Sequence, residues 1–126
     1  MKKIRWGIVV TTLALLSLGS PNVAGARTPM AISIEQVSPD PQPGETFTLA
    51  GRIRSDAQRC YADHLVRVQK VSNGGYKTVA RTMTDGDGYY SVDVSQNRSR
   101  RYRAVAVAKP DCGKSESGII RVHMAS

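Results

Sequence analysis

From residue 27 onward the chain predicts an antiparallel β-sandwich of seven strands. Three observations carry this. Apolar residues alternate with period two, turn residues interrupt them at regular intervals, and no segment shows the spacing of an amphipathic helix. The alternation gives each strand one face for a core and one for water, which suits two sheets packed face to face.

The first strand is expected at 31–37 (AISIEQV). Pro39, Pro41 and Pro43 then forbid helix and suit an extended corner that ends at Gly44. The second strand, 46–54, places Phe47, Leu49 and Ile53 on one face and Thr48, Arg52 and Arg54 on the other. The third, 64–71, and the fourth, 76–84, flank Asn73-Gly74-Gly75, residues that tolerate the positive φ of a tight hairpin. Asp85-Gly86-Asp87-Gly88 turns the chain into the fifth strand, 89–94; the sixth follows at 101–108 and the seventh at 117–124.

Residues 1–26 read as a cleavable export signal. Lys2, Lys3 and Arg5 make a basic start, an apolar run follows from Ile8 to Leu18, and Ala24-Gly25-Ala26 supplies a small-x-small cleavage site. The run is 11 residues long, whereas a membrane-spanning helix needs about 20. The expected mature chain begins at Arg27, spans no membrane and is secreted. Removing the three basic residues from 18 leaves 15 against 10 acidic ones, a net charge of +5. That balance is mildly basic, below what a dedicated nucleic-acid binder carries.

Cys60 and Cys112 are the only cysteines. An even count in an exported chain favours a disulfide. If each strand runs antiparallel to the next, the loops after strands two, four and six fall at one end of the sandwich. Cys60 lies in the first of these loops and Cys112 in the third, so the two can meet.

Five segments carry a family resemblance: Phe47 to Ile53, Val66-Arg67-Val68-Gln69, Gly75 to Ala80, Thr84 to Val92 with its Asp-Gly-Asp-Gly-Tyr turn, and Tyr102-Arg103-Ala104-Val105. Their order resembles the bacterial immunoglobulin-like domains of secreted actinobacterial proteins, across nearly the whole expected mature chain. Asp85 to Val92 also resembles the carboxypeptidase regulatory-like and transthyretin-like domains. The resemblance implies an immunoglobulin-like sandwich, and Tyr102 at the start of strand six suits a buried tyrosine corner. The chain departs from antibody-type domains: its third strand has no Trp and its cysteines lie outside strands two and six. Antibody-like and receptor-like roles therefore do not carry over.

No catalytic motif is present: no Gly-x-Ser-x-Gly and no His-Glu-x-x-His. Asp56, Asp63, Asp85, Asp87 and Asp111 gather in the loops at the cysteine end, a candidate Ca²⁺ set. Asp-Gly pairs are ordinary turn chemistry, however, and Arg59, Lys109 and Lys114 would neutralise the cluster. His64 and His123 are read as surface residues that lack a third ligand. Asn97-Arg98-Ser99 matches a glycosylation pattern, taken as coincidental under the bacterial resemblance. Neither a cofactor nor a catalytic residue is expected.

Two surfaces remain for binding. With Tyr102, Ala104 and Ala106 inward, the outer face of strands three, six and seven presents Leu65, Arg67, Gln69, Arg103, Val105, Val107, Ile119, Arg121 and His123. Arginine among apolar residues is a composition favoured at interfaces. The loop before strand six adds Arg98, Arg100 and Arg101, a basic cluster at the opposite end from the cysteines. No aromatics interleave with that cluster to stack bases, so specific nucleic-acid binding is not expected. The expected function is a secreted, non-catalytic binding module at or outside the cell envelope, whose partner is a protein or an anionic envelope polymer. The alternative is a carrier of a small ligand or Ca²⁺ in the end loops.

Overall fold

The computed structural model describes residues 27–125, so the expected signal at 1–26 lies outside the described residues. Two antiparallel sheets face each other. The first is built on β3 (Thr46–Arg54), with β6 (Tyr89–Ser95) along one side. Along the other side of β3 run β1 (Ala31–Ile32) and β2 (Glu35–Gln36). The second sheet runs β5 (Gly75–Met83), β4 (Leu65–Ser72), β7 (Arg100–Ala106). Its last position is shared by β8 (Ser115–Glu116) and β9 (Ile120–Val122), both paired to β7. One turn of helix, α1 (Gln58–Tyr61), connects β3 to β4.

The alternation read from the sequence becomes the core. Phe47, Leu49 and Ile53 of β3 face Val66 and Val68 of β4 and Tyr102, Ala104 and Ala106 of β7, with Val92, Val94 and Val122 filling between them. Burying each large aliphatic side chain contributes roughly 1.5–3 kcal/mol. Phe47 and Tyr102, one from each sheet, meet edge to face with ring centres 5.8 Å apart.

Among the described residues nine strand segments stand where seven were expected: the first expected strand is broken in two, and β8 is an additional short strand ahead of the last. The break between β1 and β2 keeps register: Ile32 lies opposite Ile53 and Glu35 opposite Ala50, as one continuous strand would have them. At the break the Ser33 carbonyl accepts the Tyr90 hydroxyl at 2.6 Å. It also sits where a side chain on Gly51 would be, 2.0 Å from an ideal Cβ. The expected strand 117–124 shortens to β9, and β8 forms just ahead of it; across the intervening Ser117-Gly118-Ile119 the register with β7 shifts by one. There the Ser117 hydroxyl, in place of a backbone carbonyl, accepts the Ala104 N–H at 2.8 Å.

The Cys60–Cys112 bond is present, with Cα atoms 5.6 Å apart, and both residues are buried. It closes 52 residues of chain, which stabilises the fold by about 4 kcal/mol through loop-closure entropy. It also ties the α1 loop to the loop after β7, confirming that these loops share one end.

Candidate functional site

The outer face of the second sheet is set by its cross-strand register. On β4 that face carries Leu65, Arg67, Gln69 and Val71. Their partners on β5 are Met83, Arg81, Thr78 and Tyr76. On β7 it carries Arg101, Arg103 and Val105, opposite Val71, Gln69 and Arg67. Beyond β7, Arg121 lies opposite Arg101, and Glu116 opposite Val105. Five arginines and one acid therefore share a single sheet face.

Arg103 is the residue most firmly held. Its guanidinium lies over the Tyr76 ring at 3.3 Å from the centroid, its Nε donates to Gln69 Oε1 at 2.9 Å, and Nη1 pairs with Glu116 at 3.2 Å. Its side chain is only 14% exposed. Glu116 also pairs with Lys114 at 3.1 Å, and the Lys114 hydrogen bond, with the Arg103 charge behind it, holds the Glu116 carboxyl below its usual range. Arg103 is thus occupied within the protein, a correction to its expected place in a free binding face.

Val105 needs a second correction. It points outward as the register predicts, yet it is buried, 4% exposed. It lies between Arg67 and Glu116, and long side chains on both flanks shield a short valine from water. Of the remaining expected face residues, Leu65, Arg67 and Val107 are half-buried, whereas Ile119 and Arg121 are exposed. Arg67 holds its Nε buried without a hydrogen-bond partner.

The basic loop joins this face. Arg98, Arg100 and Arg101, with Arg121 from β9, line an open recess of about 420 Å³ floored by Val71, Ser72, Asn73 and Ser99. Among the described residues none of these four arginines has a salt bridge. Arg121 is the recess residue that the loop alone does not reveal; its β9 strand brings it beside Arg101.

The opposite end shows different chemistry. Asp85 Oδ1 accepts the backbone N–H groups of Asp87 and Tyr89, at 2.9 and 3.0 Å, and so holds its own turn. Asp111 pairs with Arg59 at 3.5 Å in solvent. Asp63 occupies a left-handed backbone position, φ 49°. Among the described residues, no three of His, Cys, Asp and Glu come together to hold a metal ion. The five candidate aspartates, Asp56 included, are therefore not brought into one Ca²⁺ site.

His64 corrects a third expectation, since it is fully buried rather than on the surface. Its Nε2 faces the Val107 carbonyl, and its Nδ1 has no partner. Burial lowers its pKa below the ordinary value; the Val107 carbonyl pulls upward, and Lys109 adds to the lowering. The Cys60 carbonyl also pulls upward, from outside hydrogen-bond geometry. Tyr102 does not reach backbone as a tyrosine corner would. Its hydroxyl donates to Gln96 Oε1 at 2.7 Å, and Gln96 Nε2 donates to the Val122 carbonyl at 3.0 Å. Burial raises the Tyr102 phenol to about 12, so it stays a neutral donor.

No family model matches the chain, and no curated protein matches it. Solved structures do. A substituted form of superoxide reductase (neelaredoxin) from Ignicoccus hospitalis superposes with a TM-score of 0.55 at 8% identity, covering 82% of this chain and 86% of that one. The sulfur carrier protein SoxY from Chlorobium limicola f thiosulfatophilum gives 0.48 at 11% identity, over 74% of each chain. A conjugative transposon lipoprotein from Bacteroides eggerthii gives 0.48 at 9% identity, over 74% of this chain and 95% of that one. At such identities the first likeness establishes the fold alone, an antiparallel β-sandwich, and the other two carry no further argument.

Proposed function

We propose that this protein is an exported, non-catalytic binding module of the bacterial immunoglobulin-like kind, which holds an anionic component of the cell envelope in the recess formed by Arg98, Arg100, Arg101 and Arg121. The observation that carries this is that four arginines, from a loop and two strands, line one recess with no acid paired to any of them among the described residues. Arginine presents a planar fork of donors matched to carboxylate and phosphate. The disulfide supports export, because such bonds persist in oxidising compartments. Among the described residues no helix is long and apolar enough to cross a membrane.

Several reactive groups at the far end already have work. Asp85 is committed to its turn and His64 Nε2 to an internal carbonyl. That supports binding over catalysis.

The test is retention of the oxidised protein on its producer's envelope fraction, for the natural chain and for a variant with all four arginines changed to Gln. We expect the variant to lose at least about tenfold in affinity, the scale of a few lost charge-assisted contacts. A control with Arg52 and Arg54 changed to Gln is expected to bind normally. Equal retention of all three proteins would refute the assignment.

A further inference from the structure

The recess does not end at the hairpin. Arg101 lies directly opposite Arg121, and four residues along β4 from Val71, the partner of Arg101, Arg67 lies directly opposite Arg81. Like charges facing each other across a sheet destabilise it, and this face holds two such pairs. Among the described residues no salt bridge relieves either of them. Arg103 lies between the pairs, with its charge already answered by Glu116.

The register fixes the spacing. The pairs are offset by four residues along the strands, about 14 Å, and by two strand spacings, about 10 Å. The diagonal between their centres is therefore about 17 Å. A single phosphate or carboxylate cannot reach both. A chain of oxyanions laid across the strands can, with Arg98 extending the path at one end.

We propose that the outer face of the second sheet is a diagonal track for a linear polyanion, anchored by Arg101 and Arg121 at one end and by Arg67 and Arg81 at the other. This rests on the anion-binding reading of the recess and specifies its ligand as an extended polymer of repeated phosphate or carboxylate groups. Bases are not what the track recognises, since it carries one aromatic ring, Tyr76, with one face taken by Arg103.

The test uses the full chain, made in an exporting host so that the disulfide forms, titrated with tripolyphosphate, long-chain polyphosphate and polygalacturonate. Tripolyphosphate is too short to reach both pairs. One of the long polymers should bind at least about tenfold tighter than tripolyphosphate, through simultaneous engagement of both anchors; which one binds distinguishes a phosphate from a carboxylate ligand. The double variant Arg67→Gln with Arg81→Gln should lose that advantage and bind tripolyphosphate normally. Arg101→Gln with Arg121→Gln should weaken every anion. Arg81→Gln alone, on an exposed edge strand, repeats the test without touching the half-buried Arg67. If long-chain affinity survives loss of Arg67 and Arg81 but not of Arg101 and Arg121, the track is wrong and the recess stands. If the natural chain binds none of the anions, both fall.

Discussion

His64 couples this fold to pH. In the folded chain its ring is buried with Nε2 donating to the Val107 carbonyl, so protonation would place a second, unpartnered N–H at Nδ1 in the interior. The folded pKa is therefore below the ordinary 6.5, mainly through burial. The sign follows: the unfolded chain binds the proton more readily, so this contribution to stability is complete above about pH 6.5 and is lost as pH falls through the folded pKa. The thermal midpoint of the natural chain should fall between pH 7 and 5, and the fall should be shallower in a His64→Gln variant. A His64 ring that titrates at or above 6.5 by NMR would show the residue is not sequestered as described. Its burial follows the alternation, since His64 shares the inward parity of Val66 and Val68, but a polar ring at a strand's start reads as surface on residue type alone. Val105 was illegible for a different reason. Strand β7 is apolar on both faces, and only its neighbours, Arg67 and Glu116, decide that the outward valine is covered.

At the scale of elements, period two sufficed for the long strands: β3, β4, β5, β6 and β7 all lie within one or two residues of their expected ends. The same signal did not reveal the break in the first expected strand or the short β8 ahead of the last, which depend on single contacts between distant residues. Gly51 is the clearest case. A methyl group there would meet the Ser33 carbonyl on one side and the Tyr90 ring on the other. Gly51→Ala should therefore cost about 3 kcal/mol, the upper end of ordinary overpacking, as a lowered denaturant midpoint with an unchanged slope. A loss under about 0.5 kcal/mol, the size of a neutral surface change, would mean that the first strand does not pass so close. The four-residue helix α1 was likewise invisible, since one turn is too short to show a helical period.

The whole molecule brings together what the chain keeps apart. Arg67, Arg81, Arg101 and Arg121 are scattered over 55 positions of sequence, each an ordinary charge in its own strand. Folding two hairpins side by side sets them on one face, while the bond between Cys60 and Cys112 secures the far end. The sequence offered the loop arginines and the sheet face as separate candidates, and only the strand order shows them to be continuous. The face left with unpaired charge is the one most sensitive to ions in solution, and an anionic polymer bound there, as proposed, would release its counterions. The most direct measurement is therefore the salt dependence of retention on the envelope fraction, from about 50 to 500 mM, bracketing the range over which the Debye length shrinks from beyond to within a charge-pair separation. Retention that falls steeply with salt, with the thermal midpoint not lowered, is the predicted result. Retention that persists undiminished at the highest salt would contradict the arginine face and move the contact to the apolar residues exposed beside it, Met83, Tyr76 and Ile119.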